Sequence, residues 1–220
     1  METNQSDPIL ASSIKRLQNY RQSVYNFFPA RADAQMDLLD ALSSNVTAES
    51  IVELSQNPLY RRGYSSISDS IDNLFQASSW EASWQERESE QREIVKVVSH
   101  YASTPRVRRY WLFVQDATSM IRRPARSLAD RSDVYTPYAV AGNAPVNIGH
   151  SYLVTGLLLE RSQAKQANWL YPLLIERICS DQDEQAVAAQ RSRMLQTDST
   201  LPWHGKLSVQ VADSKYAKLA

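Results

Sequence analysis

The spacing of apolar residues changes character at Pro105, and that change most limits what this chain can fold into. Before it, apolar residues recur at helical intervals: Ile14, Leu17, Val24, Phe27 and Phe28, then Met36, Leu38, Leu39 and Leu42, then Ile51, Val52 and Leu54. After it come short apolar runs bounded by turn formers: Tyr110 to Gln115, Val146 to Leu159, Asn168 to Ile178 and Leu207 to Ala212. Asp181 to Leu195 reads as a helix, with acids at its start, Arg191 and Arg193 near its end, and Ala186, Val187 and Ala189 as an apolar face. Residues 1–105 are therefore expected to be helical and residues 106–220 to form a mixed sheet with helices packed on it, an α+β fold. Pro172 falls inside the third run, so that strand belongs at an edge or a bulge.

Helix starts in the first half are marked by residues suited to N-caps. Asp33 precedes Gln35 to Ser43, Thr47 precedes Ala48 to Ser55, and Ser65 or Ser66 opens Ile67 to Phe75. Between the second and third of these lies Asn57-Pro58-Leu59-Tyr60-Arg61-Arg62-Gly63, where proline and glycine break the pattern beside two arginines. The arrangement is that of a helix-turn-helix with an enlarged turn, or of a plain helical bundle. Arg61 and Arg62 are candidates for phosphate contacts, which position a protein on DNA without selecting sequence; an exposed, solvated pair is the alternative. The segment Ser65 to Ser70 offers serines but no arginine or lysine to a base edge. Ser78 to Glu93, passing into Ile94 to Val98, is expected to form a longer helix.

Composition narrows the class. With 24 basic and 24 acidic residues the net charge is zero, so charge alone does not call for nucleic acid, and its distribution has to be followed instead. A single cysteine, Cys179, excludes an internal disulfide framework, gives no zinc-site spacing and fits a reducing cytoplasm. Met1 to Asp7 is polar and acidic and does not open like a signal peptide, and no stretch approaches the roughly 20 apolar residues that span a bilayer. A cytoplasmic protein without a membrane partner is the expectation.

Two of the apolar runs end in an aspartate, Asp116 and Asp213. Carboxylates at the ends of two strands of one sheet, separated in sequence by two more strands and a helix, can converge on a divalent cation. Around the first of them stand Arg106, Arg108, Arg109, Arg122, Arg123, Arg126 and Arg131, against only Asp116 and Asp130 in the same window. Arginine forks bind phosphate bidentately, so the cluster suits a phosphodiester backbone; a basic surface loop after a strand is the plainer alternative.

The residues that carry these features resemble a known family. Phe113-Val114-Gln115-Asp116-Ala117-Thr118, then Ser127-Leu128-Ala129-Asp130-Arg131, then Gly142 to His150, look like the first half of the RNase H-like catalytic domain of bacterial insertion-sequence DDE transposases. Val211-Ala212-Asp213-Ser214-Lys215-Tyr216 resembles the second acidic motif, in the expected order, and nearly the whole chain is covered. The segment from about Tyr20 to Phe75 resembles the DNA-binding region that such transposases place before the catalytic domain.

The resemblance implies binding to insertion-element ends and metal-dependent DNA cleavage and strand transfer. Asp116 would be the first acid and Asp213 the second, holding Mg2+ (or Mn2+) through hard oxygens. Thr118 would contact backbone phosphate, and Arg122, Arg123 and Arg126 would track DNA. His150 would be a nearby polar contact or a strand residue with a structural hydrogen bond. The family's glutamate lies on a helix well beyond the second aspartate, whereas the sequence runs only to Ala220; Glu176 and Glu184 precede Asp213, and Glu184 reads as a helix-start charge. The expectation is thus a truncated transposase, inactive alone, with an incomplete sheet. DNA ends, and an intact transposase or a second copy of the chain, are the implied partners. A non-catalytic DNA-binding regulator of an intact transposase is the alternative from another class; an unrelated nuclease completed by another chain is the enzymatic one.

Overall fold

A computed structural model describes residues 8–77, 84–122, 127–135, 146–160 and 169–213. It divides into two compact units, Met1–Val97 and Val98–Ala220. The described residues hold six helices and one mixed five-stranded sheet, the helices of the first unit preceding the sheet.

The first unit contains α1 (Pro8–Phe27), α2 (Ala32–Ser43), α3 (Ile51–Leu54), α4 (Tyr64–Ala77) and most of α5 (Trp84–His100). Leu38 and Ala41 of α2, Leu54 of α3, Tyr60 of the following turn and Ile67 of α4 form its core, with Ala48 and Ile71 packed on them. Buried Gln35 donates from Nε2 to the Ser70 carbonyl at 2.8 Å and so ties α2 to α4. Helix α1 buries no residue and is held to α2 by the bidentate Arg21–Asp40 pair.

Helix starts differ from those expected. Helix α2 begins at Ala32, after Arg31 in a left-handed conformation (φ 54°), so Asp33 lies in its first turn instead of capping it. For α3 the cap is Ser50 and not Thr47: its side chain accepts from the Glu53 amide, and Glu53 Oε2 accepts in return from the Glu49 amide at 2.7 Å. Helix α4 starts at Tyr64, directly after Gly63. The expected helix over 78–93 is seen from Trp84 and runs through the apolar Ile94 to Val98, because those residues continue the helical face; residues 78–83 lie outside the described chain.

In the second unit the strands are β1 (Trp111–Ile121), β2 (Ser132–Tyr135), β3 (Val146–Leu158), β4 (Leu170–Ile178) and β5 (Ser208–Ala212), with α6 (Glu184–Thr197) between β4 and β5. The order is β2-β3-β1-β5, with β4 also on β3, beyond the stretch that pairs β2. Strand β1 is antiparallel to β3 and parallel to β5. These directions fit the RNase H-like sheet that the resemblance implies. Pro172 pairs with Gly156 at a register shift in β4, the bulge expected of a proline that cannot donate to a ladder. Three strands, not two, separate the strands that carry the two acids in sequence, because β2 pairs on the N-terminal half of β3.

One face of the sheet is covered by α6. Leu153 and Ile178 meet Val187 and Ala188 there, with Ala117 alongside. Buried Arg191 of α6 grips Glu176 of β4 through Nε and Nη2, the latter at 2.6 Å. Trp203, after α6, packs on Trp111 and Phe113 and donates from Nε1 to the Leu195 carbonyl at 2.7 Å.

Candidate active site

Asp116 does not end its strand: β1 continues five residues further, to Ile121, pairing along that stretch with the N-terminal half of β3. The acid therefore sits mid-strand, opposite Val154. Gln115 beside it is buried against α6, so by the two-residue alternation of a strand Asp116 points to the other face, where it is exposed. Its Oδ1 accepts from the Ala117 amide at 2.9 Å. The last pair between β1 and β5 is Gln115 with Ala212. Asp213, exposed, follows β5 directly; a register carried on by one residue would set it opposite Asp116, at the roughly 4.8 Å spacing of neighbouring strands.

Beneath the acids, on the α6 face, lies a polar group that the pattern of acids and arginines gave no reason to single out. The Gln115 amide, 2% exposed, donates from Nε2 to Thr155 Oγ1 (3.1 Å) and to the Ala188 carbonyl (3.3 Å). Its Oε1 accepts from Gln210 Nε2 of β5 at 2.6 Å and from Ser192 Oγ at 3.4 Å. The available signal was parity: Trp111, Phe113 and Gln115 share one side of the strand, and a glutamine in an inward position has to find partners.

The remaining sequence-selected residues scatter. Thr118, two residues on from Asp116, shares its face and is exposed. Arg122 lies six residues from Asp116, about 20 Å along the strand; its amide donates to the Ile148 carbonyl at 2.9 Å and its guanidinium touches the Met120 sulfur. Arg123 and Arg126 lie outside the described residues. The arginine cluster is not one patch, because the eleven residues of β1 separate Arg106, Arg108 and Arg109 at one end from Arg122 and Arg131 at the other. At the first end, Glu160 accepts from the backbone amides of Arg106, Val107 and Arg108, and those hydrogen bonds, Arg106 foremost, hold its carboxyl below the usual range. At the other, Arg131 donates to the Arg122 carbonyl, and Asp130 (φ 56°) bonds Arg177 and the Ser180 amide. Burial pushes the Asp130 carboxyl up, but Ser180 and Arg177 together outweigh it and leave it lowered.

His150 is buried and its Nε2 lies 3.1 Å from the Ala129 carbonyl, the structural bond expected of a strand residue. Glu176 is taken by Arg191, and Glu184 is the acid of the first turn of α6. In the helical unit Arg61 and Arg62 both reach the buried Asp37, at 2.6 and 2.9 Å. Asp40 and Asp33 add to the negative field at Arg61, whose side chain remains 76% exposed.

Comparison with protein families matches residues 23–220 to the model for DDE superfamily endonucleases (DDE_5). The chain belongs to the DDE superfamily endonuclease family. No curated protein matches it. The matched span begins inside α1, so the helical unit is part of what the DDE family model describes. Membership carries a nuclease or transposase type of function, with DNA as substrate and a general dependence on divalent metal.

The donors at Asp116 and Asp213 suit such a metal. Both are exposed and offer hard carboxylate oxygens, the donor type by which magnesium is usually held. Among the described residues no three or more His, Cys, Asp or Glu side chains group to hold an ion. No described helix is long and apolar enough to cross a membrane.

Proposed function

We propose that the chain is the element-end-binding and DNA-cutting part of a transposase, with Asp116 and Asp213 as its paired metal ligands. The observation that supports this most is the β1–β5 register, whose last pair, Gln115 with Ala212, lies one residue before each acid. A Mg2+ or Mn2+ ion held there would supply charge neutralisation at a phosphoryl oxygen and acidify the attacking hydroxyl. The two aspartates bind and orient. Thr118, on the same face, donates its hydroxyl to a phosphate oxygen of the same strand of DNA. Arg122, and Arg123 and Arg126 after it, hold the backbone further along. Arg61 and Arg62, both with exposed side-chain area, give the helical unit a phosphate contact. An intact transposase or a second copy of the chain is the partner expected with it at the DNA ends.

The experiment is a gel-shift titration on DNA carrying the gene's flanking sequences, with unrelated competitor and varied salt, followed by a nicking assay in Mn2+. We expect retention that survives competitor. Any nicking disappears in both Asp116→Asn and Asp213→Asn, and nicking that survives in both variants overturns the assignment. A regulator that binds without chemistry is favoured by the separate core of the helical unit, and its mark is binding unchanged in both variants with no nicking in the parent.

A further inference from the structure

Strand β5 is short, lies at the edge of the described sheet and is exposed along most of its length, with Val209 and Val211 at 38% and 50% exposure. It carries little apolar burial with which to fix its own register. A slip by one residue would turn every one of its side chains to the opposite face and take Asp213 away from Asp116. The buried Gln115 amide is placed to prevent this. It is immediately next to Asp116, it reaches β3 through Thr155 and α6 through Ala188 and Ser192, and it holds β5 through Gln210 at 2.6 Å. Both protons of its nitrogen are used, and Gln210 is the short donor to its oxygen, since the one hydroxyl proton of Ser192 has the nearer Ala188 carbonyl to bond at 2.9 Å.

We infer that Gln115 is a positioning residue, which through Gln210 locks the register of β5 and so holds Asp213 beside Asp116. This rests on the reading of those two acids as the metal pair. A slipped β5 would leave Gln115 Oε1 without its shortest partner inside a covered face, where an unmet polar atom is costly, so only one register satisfies the network.

The test measures placement apart from metal. In a Cys179→Ser background, Asp116→Cys with Asp213→Cys should cross-link on mild oxidation, because strands about 4.8 Å apart lie within disulfide reach. Ser119→Cys with Ser151→Cys, facing partners on β1 and β3, is the control. Adding Gln115→Leu should slow the Asp116–Asp213 cross-link about tenfold and leave the control unchanged. Gln210→Leu, whose side chain is less buried, should do the same if Gln115→Leu does not fold. An unchanged acid-pair cross-link overturns the inference, as does an equal fall in the control, which would mean general loosening of the sheet. Mn2+ binding by the chain with both aspartates intact, followed by electron paramagnetic resonance, should weaken about tenfold with Gln115→Leu. If the cross-link depends on Gln115 while the unsubstituted chain binds no Mn2+, the positioning stands and the metal assignment fails.

Discussion

Replacing Arg191 by methionine should be among the most damaging single changes in the sheet unit. The Arg191 side chain is 1% exposed and that of its partner Glu176 is 10% exposed, so the substitution leaves a carboxylate nine-tenths buried with its bidentate cation gone. Removing one member of a buried pair costs about 3–5 kcal/mol, and the low end suits Glu176 because it keeps some access to water. About 3 kcal/mol, at roughly 4 °C per kcal/mol for a unit of this size, lowers the midpoint of thermal unfolding by roughly 12 °C. Urea unfolding followed by tryptophan fluorescence is a suitable assay, since Trp111 and Trp203 are both buried in this unit. The paired substitution Glu176→Leu with Arg191→Met should recover stability to within about 1 kcal/mol of the parent, because well-packed apolar groups replace a buried ion pair at little cost. A loss below about 1 kcal/mol for Arg191→Met alone would refute the reasoning and mean that Glu176 rehydrates freely.

Two further outcomes follow from particular contacts. Gly149→Ala places a Cβ 2.1 Å from the Met120 carbonyl oxygen, a backbone atom that cannot turn away, so it should cost about 1–3 kcal/mol in urea unfolding and weaken the β1–β3 pairing first. Glu160 has its carboxyl lowered in the folded chain by the Arg106 and Arg108 amides, so it stabilises above the ordinary glutamate range and that contribution is lost as pH falls through the folded value. Glu160→Gln should therefore flatten the acid limb of the stability curve; an acid limb identical to the parent's would contradict this.

Much of the architecture is legible in the sequence because strong local patterns decide it. The helical spacing before Pro105, the apolar runs of β1, β3, β4 and β5, and the acidic start of α6 all reappear as elements, Asp183 capping α6 by accepting from the Gln185 amide. Strand β2 escapes notice because only Val134 of its four residues is buried, which leaves no alternation to detect. The extension of β1 past Asp116 escapes for a related reason: Thr118, Ser119 and Met120 are exposed, and what holds them in the sheet is their pairing with β3, a non-local contact. The apparent arginine patch illustrates the opposite error. Closeness in sequence was read as closeness in space, but an extended strand of eleven residues carries its two ends about 30 Å apart. Each acid could be named from the end of its apolar run, whereas the glutamine network on the other face of β1 depends on which face α6 covers.

Whether Asp116 and Asp213 hold one divalent ion between them is tested most directly by Mn2+ binding to the purified chain, read by electron paramagnetic resonance alongside Asp116→Asn, Asp213→Asn and the double variant. We expect one weak site in the parent that either single substitution removes, with no further loss in the double variant, because a shared ion needs both carboxylates. A site that survives either substitution would place the metal elsewhere and contradict the assignment of this pair.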